Sequence, residues 1–327
     1  MATRYTTVHQ SPNGPGDGRP SAKQIIQDEG VEGRLDGKSI LITGCSSGIG
    51  VETTQALFLT GATLYLTALN LDKAKEALGN LVNSNRVHFL ELSLDSLENV
   101  RACAVEYLSK SNTLDILIGN AGVMATPEGP TKDGFETQLG TNHLGHFLLF
   151  SLLQPALLAA ATPGHSSRVV VLSSVAHRWG EFDPSNVDLE GNYDPMVAYG
   201  ASKTSNLWMA NEIEQRFGAL GIHAWSVHPG FVQTDLGRHM SSDQQGAMAD
   251  PYLASILKDA GQGASTSVWA AVSSELDGKG GKYLEDCSIA EAWDPSTSQS
   301  NPGYGPHAYD VEKAIKCWEK SVELVGI

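Results

Sequence analysis

Apolar and polar positions alternate along this chain with two periods, and each change of period marks an element. Short continuous runs rich in Val, Ile and Leu predict strands at Ser39–Thr43, Thr63–Thr67, Val87–Glu91, Leu114–Gly119, Arg168–Ser173 and Ala224–His228, with a last short one near Lys282–Leu284. Between them, apolar residues recur at three- and four-residue intervals. That spacing predicts helices over Gly48–Leu59, Asp72–Leu81, Ser96–Leu108, Gly134–Ala160, Ala198–Phe217, Ala264–Ser274 and Val311–Leu324. Strands without a polar face, each followed by a helix, belong in a parallel sheet covered on both sides. No internal repeat breaks the alternation, so one α/β domain is expected over residues 35–327.

Three stretches fall outside that rhythm. Residues 1 to about 34 carry Ser11-Pro-Asn-Gly-Pro-Gly-Asp-Gly-Arg-Pro20, which predicts a loosely ordered, flexible arm. Residues Arg178–Val197, with Asp183-Pro, Gly191-Asn and Asp194-Pro, form a long insertion. The Pro/Ser/Gly-rich stretch Ala290–Tyr309 belongs to a C-terminal region, about 235–327, expected to act with the insertion as lids or rims around a pocket.

Composition narrows the partners. A chain of 327 residues, 41% hydrophobic, can bury an extensive core. Its net charge of −15 argues against nucleic acid or an anionic membrane as partner. Cys45, Cys103, Cys287 and Cys317 show neither CxxC pairing nor His-Cys metal spacing, so reduced thiols and no metal are expected. The N-terminus lacks the apolar core of a signal peptide. The most apolar segment, Leu144–Ala161, is interrupted by Gly145, His146, Gln154 and Pro155 and reads as a buried or subunit-contact helix, not a membrane span. A cytoplasmic protein is the expectation.

Two motifs carry chemistry. Thr43-Gly-Cys-Ser-Ser-Gly-Ile-Gly50 joins a predicted strand to a predicted helix, the setting in which a glycine turn binds a dinucleotide. Gly44 permits the tight turn. Gly48 and Gly50 admit the pyrophosphate and let helix pack on strand, while free N–H groups at the helix start attract phosphate. This makes the sheet a Rossmann-type, doubly wound one. In Tyr199-Gly-Ala-Ser-Lys203 the i, i+4 spacing sets both side chains on one helix face. An ammonium there favours the phenolate, so Lys203 is expected to lower the tyrosine pKa from about 10. Alone, such a pair is far more often a solvated helix face; its company decides.

Thr43-Gly44-x3-Gly48-x-Gly50, Asn120-Ala-Gly122, Asn142, Ser174, Tyr199-x3-Lys203 and Pro229-Gly230, in this order, resemble the short-chain dehydrogenase/reductase family. Asn142-His-Leu-Gly-His-Phe147, Ser173-Ser-Val-Ala-His177 and His228-Pro-Gly-Phe-Val-Gln-Thr234 are similar to its retinol-dehydrogenase-like and WW-domain-oxidoreductase-like branch. The resemblance implies Tyr199 as general acid or base and Lys203 as its modulator and a holder of the nicotinamide ribose. It implies Ser174 as donor to the substrate oxygen, chosen over Ser173 because a small apolar pair, Val175-Ala176, follows it. It implies Asn142 as keeper of a proton-relay water, and His143, His146 and His177 as packing or hydrogen-bonding residues. Cofactor contacts are implied for Gly44, Ser46, Ser47, Gly48, Ile49, Gly50, Asn70, Asn120, Ala121, Gly122, Tyr199, Lys203, Pro229, Gly230, Val232 and Thr234. A homodimer through helices Leu144–Ala160 and Ala198–Phe217 is also implied.

The expected activity is hydride transfer between NADP(H) or NAD(H) and a carbonyl or secondary alcohol, as in a ketoreductase. An acid after the strand Thr63–Thr67 would hold the ribose 2′-hydroxyl of NAD, and an Arg the 2′-phosphate of NADP. Ala68 and Leu69 do neither. Close relatives of this type carry Arg at the Leu69 position, so NADP(H) is placed ahead of NAD(H), with Ser46, Ser47, Asn70 and Lys73 as phosphate contacts. Ser93 stands where the family commonly has Asp beside the adenine, with Asp95 two residues on. Trp179, Phe182, Tyr193, Met196, Phe231, Met240 and Tyr252 suggest a lipophilic substrate. Two other functions compete. One is a catalytically silent NAD(P)-binding regulatory protein. The other is an extended-type epimerase or dehydratase, which the glycine spacing disfavours.

Overall fold

A computed structural model describes residues 3–191, 193–241 and 250–327. Eight strands form one sheet in the order β3-β2-β1-β4-β5-β6-β7-β8. They are β1 Ser39–Thr43, β2 Thr63–Ala68, β3 Val87–Glu91, β4 Ile116–Gly119, β5 Ser167–Leu172, β6 Ile222–His228, β7 Lys282–Glu285 and β8 Ser288–Ile289. All neighbours pair in parallel except β7 with β8. The helices that matter below are α1 Ala22–Asp28, α2 Gly48–Phe58, α3 Leu71–Leu78, α4 Leu97–Lys110, α5 Gly145–Ala160, α6 Pro195–Phe217, α7 Ser265–Val272 and α8 Val311–Val325.

The sheet is apolar on both faces because both are covered. One face packs against α4, α5, α6 and α8 through Val100, Tyr107, Phe147, Trp208 and Cys317. The other packs against α1, α2 and α7 through Ile25, Leu57 and Trp269. The crossovers run in opposite directions from β1 and β4, so the loops after these adjacent strands part at their carboxyl ends. That crevice is where an open α/β sheet binds its ligand.

One expectation changes here. The segment before residue 35 is packed, not loose. Ile25 and Ile26 of α1 are fully buried, each contributing about 1.5–3 kcal/mol. Ser21 caps the helix through Gln24 N–H. Arg19 ties the segment down further, donating to the carbonyls of Ile256, Leu257 and Gly14. The C-terminal helix packs on the two helices of the implied dimer: Trp318 of α8 lies edge-on to Phe147 of α5 at 4.8 Å between ring centroids and beside Phe217 of α6 at 6.4 Å.

The predicted helix Gly134–Ala160 is broken. A π-helical segment Gly140–Leu144 precedes α5, and Asn142 lies inside it. The stretch Thr137–Ala160 is long and apolar enough to cross a membrane, yet 67% of its most apolar window is buried inside this fold.

Candidate active site

The glycine loop leaves β1 at the crevice. Gly44 adopts φ +76, and a Cβ there would sit 2.9 Å from Cα of Ala121, so the loops after β1 and β4 touch backbone to backbone. At Gly50 a Cβ would meet the Gly44 carbonyl at 2.1 Å. Ser47, the N-cap of α2, makes no side-chain capping bond, which leaves first-turn N–H groups facing the cleft. Such a cradle, with no side chain in it, fits a dinucleotide pyrophosphate. Ser46, Ser47 and Ile49 line its approach, half-buried or exposed. Thr234 closes it from across the cleft: a side chain on Gly48 would meet the Thr234 methyl at 3.0 Å.

Asn120 braces the loop. Its Nδ2 donates to the carbonyls of Thr43 at 2.8 Å and Gly44 at 3.3 Å. Thr43, which motif reading left unassigned, is the hub: its Oγ1 accepts from the N–H groups of Asn120 and Ala121, both at 2.9 Å, and hydrogen-bonds Nε2 of His146 at 2.8 Å. Nδ1 of His146 donates to the Asn142 carbonyl at 2.9 Å. Burial holds this imidazole near pKa 4, so it stays neutral and links β1 to the segment carrying Asn142. Val232 turns its methyls toward Gly263, where a Cβ would meet them at 2.7 Å, so only its backbone faces the cofactor side.

Asn142 is a clamp. Its Oδ1 accepts from Val123 N–H at 2.8 Å, and its Nδ2 donates to the Val123 carbonyl and to Ser202 Oγ, both at 2.9 Å. Ser202 Oγ in turn donates to the Tyr199 carbonyl at 2.7 Å. The loop after β4 is thereby tied to the helix bearing the tyrosine. Gly122 lies against the same cluster: a Cβ there would stand 3.0 Å from Asn142 Oδ1 and 3.6 Å from Lys203 Nζ.

Ser173 and Ser174 separate as strand-end neighbours should. Ser173 Oγ is spent on the Lys203 carbonyl at 2.8 Å. Ser174 Oγ accepts from Ala176 N–H at 3.1 Å and lies beside the Tyr199 phenol, whose pKa it lowers. His177 fixes the serine from behind, with Nδ1 donating to the Ser174 carbonyl at 2.6 Å and Nε2 accepting from Gly305 N–H at 2.8 Å. The tail Ala290–Tyr309 is thus anchored beside the site. The insertion packs as a rim, Tyr193 donating to the Thr126 carbonyl at 2.9 Å. Phe182 packs into the core.

Electrostatics reverse one expectation. Lys203 Nζ lies 5.5 Å from the Tyr199 ring centroid and donates to the Leu172 carbonyl at 3.1 Å. Yet burial pushes the phenol up to about 12, with only the neighbouring Ser174 hydroxyl pulling it down, and the same burial pulls Lys203 down to about 8. Desolvation of both groups outweighs their proximity. At neutral pH the phenol carries its proton.

At the adenosine end, Leu69 is 70% exposed just past β2. Oδ1 of Asn70 accepts from Lys73 N–H at 2.9 Å and caps α3, while Lys73 Nζ leans toward Asp235 at 4.0 Å. Ser93 bonds Asp95, whose carboxylate also faces Lys132 at 3.5 Å. Leu69 and Asn70, which directly follow β2, offer neither an acid nor an arginine.

A crevice at the crossover of a doubly wound sheet, with a glycine cradle and a Ser-Tyr-Lys set on adjoining elements, defines an NAD(P)-dependent oxidoreductase. The chain belongs to the short chain dehydrogenase family, whose sequence profile matches residues 38–245. It is 43% identical over 325 residues to the short-chain dehydrogenase/reductase prx1 of Penicillium roqueforti, covering 99% of this chain and 95% of that one. Human retinol dehydrogenase 12 is 35% identical, with 90% and 88% covered. Among solved structures, an uncharacterized protein from Mycobacterium paratuberculosis superposes with a TM-score of 0.67 at 28% identity, covering 96% and 98%. An NADPH-bound carbonyl reductase from chicken fatty liver shares the fold at TM-score 0.58 and 22% identity, with 78% and 99% covered.

Proposed function

We propose that this enzyme reduces the carbonyl group of a lipophilic aldehyde or ketone at the expense of NADPH. The observation that carries the direction is the phenol of Tyr199, buried and protonated against Ser174. The glycine cradle would hold the pyrophosphate of the cofactor, and the reduced nicotinamide would supply the hydride for the carbonyl carbon. Every other task falls to the chain. Ser174, its oxygen accepting from Ala176 N–H, would turn its own proton from the Tyr199 phenol to the substrate oxygen. Tyr199 delivers a proton to that oxygen as negative charge develops there. The Lys203 ammonium stabilises the phenolate left behind. The likeness to a human retinol dehydrogenase supports a lipophilic substrate. A cytoplasmic site of action goes with this reading and is tested by fractionating cells that express the tagged chain.

The testing experiment is NADPH oxidation in the presence of lipophilic aldehydes and ketones, retinal among them, with NADH in parallel. Absence of turnover on every compound would remove the reading and favour a silent binding protein. The pH profile is a sharper check. Above about 8 Lys203 loses its proton, so kcat/KM for reduction should be level near neutrality and then fall, approaching about tenfold per pH unit. Lys203→Arg should abolish that break, whatever it does to the rate.

Cofactor choice gives a separate prediction. Leu69→Arg puts a bidentate cation where the 2′-phosphate would lie, and should tighten NADPH relative to NADH by about 10- to 100-fold. Leu69→Asp should shift the ratio the other way. Paired dissociation constants from fluorescence titration decide; equal affinities in both variants would place the ribose elsewhere.

A further inference from the structure

A cavity of about 620 Å³ lies away from Tyr199 and Ser174, behind the Pro229–Gly230 turn. Its size suits a small organic ligand. Residues from four parts of the chain line it: the N-terminal segment (His9, Pro12), the loop after β6 (Phe231), the helix Pro251–Ile256 (Tyr252, Ile256), and the turn after β7 with the tail behind it (Ile289, Pro302). Most of this wall is apolar. The floor is charged and buried.

Four groups make the floor. The Lys258 side chain is 3% exposed and donates to Asp286 Oδ1 at 2.7 Å and to the Pro229 carbonyl at 3.3 Å. Glu285 accepts from Gly303 N–H at 2.8 Å and faces His228 Nε2 at 3.7 Å. The His228 Nδ1 accepts from Val175 N–H, so its Nε2 carries the proton. Asp286 and Cys287 follow β7 at φ +52 and +51, a left-handed pair with no glycine, and so the Asp286 carboxylate points into the cavity.

His9 is the anomaly. Its side chain is 5% exposed, Nδ1 faces the Tyr5 carbonyl at 2.9 Å and must donate to it, and Nε2 has no hydrogen-bond partner. The nearest charged oxygen, Asp286 Oδ1, stands 3.7 Å away and is itself an acceptor. Burial lowers the His9 pKa, so Nε2 presents a lone pair. Burial and Asp286 raise Glu285 and keep it neutral. At Asp286 burial is the largest single influence, yet Lys258, by charge and hydrogen bond, and the neighbouring imidazoles together hold the carboxyl below its usual range and ionised against the ammonium. The floor is therefore neutral in sum, with an unmet acceptor beside an ammonium that has a donor to spare among the described residues. A carboxylate would face a lone pair and Asp286. An amine would face Lys258. A hydroxyl satisfies both sides, giving its proton to Nε2 and accepting from Lys258.

We propose that this cavity is a second ligand site, separate from the Tyr199 cleft, that takes a neutral lipophilic molecule by a hydroxyl group donating to Nε2 of His9. The site stands whether or not the reductase reading does.

The test uses the full chain saturated with NADPH, which cannot oxidise an alcohol, and 1-decanol as the probe, followed by calorimetric titration. Decanol is expected to bind, and decanoate at least 10-fold more weakly. His9→Phe, which keeps the ring volume and removes the acceptor, should weaken decanol about 10-fold. Ala290→Trp should block it by filling the cavity. Both variants should keep wild-type unfolding temperature and, on any carbonyl the wild type reduces, wild-type KM. Failure of decanol to bind, equal binding by both variants, equal binding of decanoate, or competition between decanol and a reducible carbonyl would each overturn the proposal. If the panel of carbonyls shows no turnover while decanol still binds in the His9-dependent way, only the reductase reading falls.

Discussion

Tyr199→Phe should lower the rate of carbonyl reduction by about 10³-fold or more while changing NADPH affinity by no more than about twofold. The ring stays, and with it the packing of a side chain that is 5% exposed. What leaves is the hydroxyl, which lies beside Ser174 and carries the proton that the substrate oxygen needs. Without it the developing alkoxide keeps only Ser174 as a donor, and the remaining acid within reach is water. Losing one buried hydrogen bond costs about 1 kcal/mol of stability, too little to unfold a domain of this size. The kinetic loss would therefore report chemistry and not folding. Ser174→Ala should cost about 10²-fold by itself, and less again when added to Tyr199→Phe, because the two donors act on one oxygen. Single-turnover rates with NADPH prebound separate the chemical step from product release. A Tyr199→Phe enzyme that reduced its substrate at the wild-type rate would end the assignment.

Local pattern made most of this architecture legible, and position in space accounts for what it left out. The strands β1 and β3 fall at the bounds their apolar runs predict, because each run is short, continuous and ended by polar or glycine residues. The glycine loop reads correctly because strand, turn and helix are contiguous. By contrast, α1 hides its Ile25–Ile26 pair behind a Pro/Gly-rich stretch, and only the apolar face of α7 makes burying it worthwhile. The π segment at Gly140–Leu144 carries no spacing signature, since one extra residue per turn does not disturb a mostly apolar run. The spacing of Tyr199 and Lys203 correctly places them together and says nothing about how dry the place is. Desolvation decides their pKa values, and it depends on β5, β6 and the insertion folding over them. His9, Lys258 and Asp286 are hundreds of residues apart in places, and no linear pattern could bring them to one floor.

Gly200→Ala should cripple the enzyme although the added methyl group touches no substrate. A Cβ at residue 200 would stand 2.6 Å from the Ala176 carbonyl oxygen and 2.7 Å from Gly180 N, both backbone atoms that cannot swing away. The contact is mutual: a Cβ on Gly180 would meet the Val197 carbonyl at 2.3 Å and Ala201 N at 2.8 Å. Two glycines thus let α6 lie directly on the loop after Ser174, and this spacing sets how the Tyr199 phenol meets the Ser174 hydroxyl. Relief of the clash has to move helix and loop apart by several tenths of an ångström or more. Overpacking of this kind costs about 1–3 kcal/mol, partly offset by the better helix propensity of Ala, about 1 kcal/mol. The protein should still fold, with a lower unfolding temperature. Turnover should fall by about 10²-fold, because a misplacement approaching an ångström separates the two donors from their shared target. NADPH binding, governed by the loop after β1, should change little. Gly129→Ala is the control: its Cβ would meet only Thr137 Oγ1 at 3.8 Å, and both stability and rate should stay near wild type. A Gly200→Ala enzyme with full activity would show that the helix and loop can part without disturbing the Ser174–Tyr199 pair, so that the pair's geometry must be held by the Asn142–Ser202 clamp alone.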